Sequence, residues 1–282
     1  DLVPENIFKA TTENGNMLQV IFFALFFGVG LILIPEEKSK PVKDFFDGFN
    51  EVILRLIDLI MLVAPYGVFA LLAALIVESP SLDLFRALGM YAMTLVIGLA
   101  VMGIFYLLLV RLFVKLKPKK FIEGIAPAQL LAFSTSSSAA TLPVTMERVE
   151  EHLGVDEEVA SFVLPIGATI NMDGTSLYQA VAAVFIAQAF GMDLGAGTQL
   201  TIVMTATLAS IGAAAVPGAG MVMLVIVLAQ AGIPEAGLAL IFAIDRPLDM
   251  FRTVINITGD ASVSLLVAKF TGKIAKNSKG KK

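Results

Sequence analysis

The chain has 282 residues, of which 57% are hydrophobic and 16% are Asp, Glu, Lys or Arg, against about 25% charged in ordinary soluble domains. A mean hydropathy of +0.85 indicates a multi-span membrane protein rather than a soluble one with a large core. The absence of cysteine excludes disulfides, thiolate catalysis and zinc–thiolate sites. The net charge of −4 and basic residues that cluster only at membrane flanks give no support to a nucleic-acid partner.

The amino terminus, DLVPENIFKATTENGN, is polar and holds Pro4. It reads as neither a signal peptide nor a natural start, and the expectation is a segment of a longer protein that begins outside the bilayer, or a trimmed chain. Residues 17–35 are uncharged and apolar, long enough to cross about 30 Å of hydrocarbon. A polar loop, EEKSKPVKD, is expected next. Residues 45–77 read as one long segment, amphipathic at first, then apolar with a bend expected at Pro65 and Gly67. A third span is expected over 86–110, closed by the basic cluster Arg111, Lys115, Lys117, Lys119 and Lys120.

Residues 121–146 carry no charge after Glu123, yet their centre is Ser134-Thr135-Ser136-Ser137-Ser138, with Pro143 beyond. Hydroxyls compete for backbone hydrogen bonds and proline removes a donor. The reading is a helical hairpin that enters the membrane, turns at the serines and leaves on the same side, with its tip against protein or a watery cavity. The alternative is one polar-centred span packed in a bundle. A charged linker, residues 147–158, follows; it holds the single histidine, His152, which reads as an ordinary surface residue.

Residues 160–191 form an apolar segment broken at Asn171-Met172-Asp173-Gly174-Thr175. An unpaired carboxylate at bilayer depth is costly, so Asp173 should meet a cation or carry a proton, unless the pair is purely structural. Residues 200–234 repeat the hairpin pattern. Their centre, ASIGAAAVPGAG, has glycines and a proline that make poor continuous helix but a compact tip with free backbone amides; a close-packed interface of small residues is the alternative.

The last helix is expected over 237–269. In it Asp245, Asp249, Arg252, Asn256 and Asp260 fall within a sector of about 80° on one face, at roughly 100° per residue. The two halves echo each other. Ile170-Asn171-Met172-Asp173-Gly174 matches Ile255-Asn256-Ile257-Thr258-Gly259, and Ala139-Ala140-Thr141-Leu142-Pro143 matches Ala213-Ala214-Ala215-Val216-Pro217. Such duplication with discontinuous helices is the pattern of secondary transporters, whose site lies where the repeats meet. The lysines support the topology. With the 111–120 cluster cytoplasmic, hairpin one enters from the cytoplasm and hairpin two from outside. The tail lysines Lys273, Lys276, Lys279, Lys281 and Lys282 then also lie inside. Reading either hairpin as a full span would put the two clusters on opposite sides.

The fold expected is therefore an all-α polytopic membrane protein: an inverted-repeat transporter core with two re-entrant helical hairpins and broken transmembrane helices. Its site follows from the stripe. Arg252 can hold a side-chain carboxylate by a bidentate fork, Asp249 can accept from an α-ammonium, and Asp245 can orient Arg252. Ser137 and Ser138, with the backbone around Val216 and Gly220, are candidates for the α-carboxylate, and Thr175 and Thr253 for hydroxyl contacts. The alternative is that Asp245, Asp249 and Arg252 merely neutralise one another. Asn171, Asp173, Asn256 and Asp260 offer hard oxygens for a cation such as Na⁺, with backbone oxygens at Gly167 and Asn171.

At NMDGT, SSSAATLPVTM, ASIGAAAVPGAG and DMFRTVINITGD the chain resembles the dicarboxylate/amino acid:cation symporters, the glutamate/aspartate transporter family. The resemblance covers essentially the whole chain. It implies secondary symport of L-aspartate or L-glutamate coupled to Na⁺, with H⁺-coupled or C4-dicarboxylate symport as alternatives, and no enzymatic activity. It implies a homotrimer in the cell inner membrane, multi-pass, working as an elevator with the second hairpin as gate and the lysine-rich carboxy terminus cytoplasmic. Residues 1–80 would be partial scaffold and trimerisation region, with three preceding family helices missing, one of which carries part of a sodium site. Residues 81–282 would be the transport domain. By motif, Arg252, Asp249, Thr175, Ser137, Ser138 and Asn256 would meet substrate. Gly167, Asn171, Asn256 and Asp260 would form one sodium site; Thr169, Ser210, Ile211 and Ala213 a second; Asn171 and Asp173 would join a third. Where some archaeal members have an arginine before the serine motif this chain has Ser136, for which Arg246 is a candidate substitute, and Ala213 replaces a threonine seen in some members.

Overall fold

The computed structural model describes residues 3–4, 6–12, 17–78, 82–213 and 215–274. Among them the chain is helical, apart from one isolated backbone bridge, Val155 to Ile274. It divides into two compact units, Asp1–Leu82 and Asp83–Lys282.

The first unit holds α1 (Ile7–Ala10), α2 (Met17–Leu33) and α3 (Glu36–Glu78). Asn6 caps α1 by accepting the Phe8 and Lys9 amides at 3.0 and 3.2 Å. α2 packs on α3, where the Phe27 and Phe46 rings meet edge to face at 6.0 Å. The expected loop EEKSKPVKD is not a loop. It forms the opening turns of α3, which then runs without a break through Pro65 and Gly67. Glu36 and Glu37 occupy the first turn of α3, where acidic side chains complement the helix dipole. At about 1.5 Å per residue α3 is roughly 65 Å long, twice what a bilayer core needs; its charged first half accounts for the surplus.

The second unit begins with α4 (Leu82–Leu109), extended by a wider turn over Val110–Val114. Among the described residues, Phe85–Val114 is the one helix long and apolar enough by itself to cross a membrane. α5 (Pro118–Thr135) and α6 (Ser138–Glu147) pack together. Between them Ser136 takes a left-handed conformation, φ 53°, uncommon for a residue with a Cβ. α7 (Glu157–Ile170) and α8 (Asp173–Ala189) are separated by Asn171 and Met172, as the sequence predicts. α9 (Ala196–Ile211) and α10 (Ala219–Ala231) form the second packed pair. α10 starts after Gly218, whose φ of 77° favours glycine.

α11 (Leu238–Thr271) is the axis of this unit and packs on α5, α7 and α8, while α8 packs on α9 and α10. It is continuous through 255–260, so the echo with 170–174 is one of sequence and not of backbone: the first copy breaks a helix and the second lies inside one. Beyond α11 the chain turns at Gly272. The Asp156 amide donates to the Lys273 carbonyl at 3.0 Å, and Lys273 pairs with Glu158. Lys276, Lys279, Lys281 and Lys282 lie outside the described residues, as does Ala214. His152 is exposed, with its Nε2 2.7 Å from Arg148 Nη1.

Candidate substrate and cation site

α11 turns its stripe inward. Asp245, Asp249, Asn256 and Asp260 are buried, and Arg252 is completely so. A buried guanidinium must be paired. Arg252 Nη2 lies 2.7 Å from Asp249 Oδ1 and 3.5 Å from Asp245 Oδ1, and its central carbon sits 3.7 Å over the Tyr178 ring, a cation–π contact. The second Asp249 oxygen accepts the Gly218 N–H at 2.9 Å and lies 3.9 Å from Arg246 Nη1. The stripe is thus joined directly to the turn between α9 and α10.

α10 reaches the arginine because residue 220 has no side chain. A Cβ there would come within 2.6 Å of Arg252 Nη1 and 3.2 Å of the Thr175 methyl. The Gly220 carbonyl accepts from Gln179 Nε2 at 3.1 Å. The two hairpin turns also meet. Ser137 caps α6 by accepting the Ala140 amide at 3.1 Å and donates its own hydroxyl to the Ala215 carbonyl at 2.8 Å; the Ala139 amide reaches the same carbonyl at 3.3 Å.

Where these turns meet the stripe a small polar cavity remains, lined by Ser136, Ser138, Met172, Thr175, Ala215, Val216, Gly220, Asp249, Thr253 and Asn256. Of the residues expected at substrate, Ser138, Thr175, Val216, Gly220, Asp249, Thr253 and Asn256 line it. Ser137 is engaged in the contact between the turns. Arg252 lies under Gly220, folded back on its own two acids. Ser136, Met172 and Ala215 line the cavity without having been singled out for substrate. Tyr178 and Gln179 were also missed, because an aromatic residue and a lone amide in an apolar helix read as core. Their signal is position: they stand three and four residues after Thr175 and so share its face.

Asn256 joins this cavity to the break between α7 and α8. Its Oδ1 accepts the Gly174 amide at 2.8 Å and its Nδ2 donates to Thr175 Oγ1 at 3.2 Å. One turn on, Asp260 Oδ1 accepts from Asn171 Nδ2 at 2.9 Å. Asp260 comes this close to α7 because Gly167 leaves room: a Cβ at Gly167 would stand 2.6 Å from that oxygen. The Asp260 carboxylate is a hard donor, and the Asn171 amide whose nitrogen faces it carries an oxygen of the same kind. No group of three His, Cys, Asp or Glu converges among the described residues. Asp173 accepts a hydrogen bond from Tyr106 of α4, another residue not expected here. For the remaining set, Thr169 donates to the Ile166 carbonyl at 3.0 Å and is exposed. Ser210 donates to the Thr207 carbonyl at 2.9 Å and is buried with Ala213; Ile211 is partly buried. Their helices, α7 and α9, pack on each other.

A sequence model of the sodium:dicarboxylate symporter family matches residues 1–270. The chain belongs to this family. It is 47% identical over 259 residues to excitatory amino acid transporter 3 of Homo sapiens, covering 92% of this chain and 49% of that protein. It is 48% identical over 248 residues to excitatory amino acid transporter 1 of Ambystoma tigrinum, covering 87% and 46%, and 44% identical to excitatory amino acid transporter 2 of Homo sapiens, covering 87% and 43%. The chain spans about half the length of the curated relatives it matches. As a member of this symporter family it is a membrane protein, and its helical fold accords with that.

Proposed function

We propose that the chain is the substrate- and cation-carrying part of a secondary transporter, not an enzyme, that takes up acidic amino acids with Na⁺. The observation that carries this reading is the fully buried Arg252, balanced by Asp249 and Asp245 under the α9–α10 turn. A zwitterion with an extra carboxylate matches that pair group for group, a carboxylate for the arginine and an ammonium for the aspartate. Its side-chain carboxylate takes the Arg252 guanidinium, and its ammonium takes the Asp249 carboxylate that Arg252 releases. Because Asp249 also accepts the Gly218 amide, this exchange bears on the α9–α10 turn and gives it the part of a gate. Sodium supplies positive charge at the Asp260 carboxylate. Gly167, Asn171, Asp173 and Asp260 hold it, and Asn256 links that shell to the substrate cavity through Gly174 and Thr175.

In this reading the α5–α6 and α9–α10 pairs are re-entrant hairpins with opposite points of entry, related by an inverted repeat, and the lysine-rich end is cytoplasmic. Residues 1–80 belong to a scaffold and 81–282 to the moving domain. Family membership supports a homotrimer with elevator-type movement for the complete protein. The relatives are named for excitatory amino acids and the family for dicarboxylates; Asp249, which needs a cationic partner, favours the amino acid. The test is uptake of labelled aspartate into liposomes by the protein expressed from its complete gene, under imposed Na⁺ or H⁺ gradients, with glutamate, succinate and serine as competitors. Aspartate or glutamate should compete best, and only under a Na⁺ gradient. Succinate outcompeting both would remove the ammonium role of Asp249, and full uptake on a proton gradient alone would remove sodium.

A further inference from the structure

We propose that Tyr106 competes with the coupling cation for Asp173, so that a residue of α4 sets the sodium affinity of the shell. This rests on the sodium reading above. Tyr106 lies in the long apolar helix, whose other faces expose Ile104, Phe105 and Leu108, yet its own ring is 4% exposed. A phenol turned inward from such a helix needs a polar partner, and it finds one by donating its O–H to Asp173 Oδ2.

The approach is built into both helices. Gly103, three residues before Tyr106, brings α4 close to α11: a Cβ there would stand 3.3 Å from Ile255 Cδ1. One turn further along α11, Gly259 provides a notch. A Cβ at Gly259 would lie 2.8 Å from the Tyr106 hydroxyl and 2.8 Å from Asn171 Nδ2. The phenol and the amide therefore converge on one spot beside Asp173 and Asp260, and each donates a hydrogen bond to a carboxylate, Tyr106 to Asp173 and Asn171 to Asp260. A hard cation needs those oxygens. The amide can turn its own oxygen toward the ion. The phenol has only its single proton, so a cation that takes this Asp173 oxygen forfeits the phenol–carboxylate bond. Such charge-assisted bonds are among the stronger ones, and their loss goes unrecovered in a buried site.

The test is sodium-dependent protection against thermal unfolding, read on purified protein from the complete gene with no transport step. Tyr106→Phe keeps the ring and deletes the hydroxyl. It should lower the half-maximal sodium concentration by about ten-fold, while potassium chloride at the same strength has no such effect. The gain should vanish when Asp173→Asn is added. If Tyr106→Phe does not fold, Tyr106→Met, which also lacks the hydroxyl, takes its place. A sodium midpoint that is unchanged or higher, with any difference confined to the melting temperature without sodium, overturns the proposal and leaves the sodium reading standing. A wild-type protein indifferent to sodium overturns both.

Discussion

Arg252 and Asp249 stand three residues apart on α11, 2.7 Å from charge to charge, and neither has appreciable contact with solvent. The arrangement is lopsided, because Arg252 also has Asp245 at 3.5 Å. Removing Asp249 leaves the guanidinium one acid and the Tyr178 ring. Removing Arg252 leaves two buried carboxylates facing each other, with only the half-buried Arg246 nearby. Stranding a buried charge costs about 3–5 kcal/mol. Arg252→Met should therefore lower the melting temperature in detergent well beyond Asp249→Asn. Equal losses would mean that Asp245 shares nothing of the arginine.

The same pair sets selectivity under the proposed function. A charge-assisted bond to a carboxylate is worth about 1.5–3 kcal/mol, so Arg252→Ala should weaken aspartate relative to serine by roughly ten- to hundred-fold in competition uptake. Asp249→Asn should have the complementary effect, losing amino acids while keeping succinate. A uniform loss across aspartate, serine and succinate would assign both residues to structure.

Much of this site was legible because charge in an apolar chain is conspicuous. The spacing of Asp245, Asp249, Arg252, Asn256 and Asp260 is a helical period, and the helix buries that face as the period requires. The breaks at Asn171 and at the serines were legible for the same local reason: these side chains offer the backbone other partners. Three features were not. Residues 36–44 look like a loop because they are polar, but Glu, Lys and Ser there are continuous with the apolar half of α3 in one helix. The match of 255–259 to 170–174 does not say what each copy does: Asn256 bonds across to α8 while its own helix stays whole. Tyr106 and Tyr178 depend on contacts with distant elements, at Asp173 and Arg252; no local pattern marks Tyr106, and only the shared face with Thr175 marks Tyr178.

Two glycines at the site should respond differently to the same substitution. A Cβ at Gly174 would fall 2.7 Å from the Arg252 backbone carbonyl and 3.0 Å from Asn256 Oδ1. Backbone in α11 cannot yield cheaply in a close-packed interior, so Gly174→Ala should cost about 1–3 kcal/mol and show as a lower melting temperature. At Gly220 the obstacle is Arg252 Nη1, the far end of a long side chain, at 2.6 Å. Gly220→Ala should fold nearly as well as wild type but displace the guanidinium, raising KM for aspartate by ten-fold or so. Binding isotherms beside melting curves separate the two. A Gly220 variant that melts early and binds normally would contradict the placement of α10 over the arginine.

Arg246 provides the last test, because it completes a charge count. Asp245 and Asp249 carry two negative charges, and Arg252 and Arg246 two positive ones, with Arg246 Nη1 3.9 Å from Asp249 Oδ2. The cluster is neutral before an acidic amino acid brings its net negative charge. Arg246→Gln would leave it negative beforehand, so it should repel acidic substrates more than a neutral one. The Arg246 side chain is 38% exposed, so solvent and salt screen much of its field and the effect should be only a few-fold. Arg246→Gln is thus expected to raise KM for aspartate but not for serine, with the difference shrinking as ionic strength rises. Arg246→Lys should restore most of it, since a point charge serves where no bidentate geometry is used. A change that ignores salt, or that lysine cannot restore, would give Arg246 a shape-specific role at the mouth of the site in place of an electrostatic one.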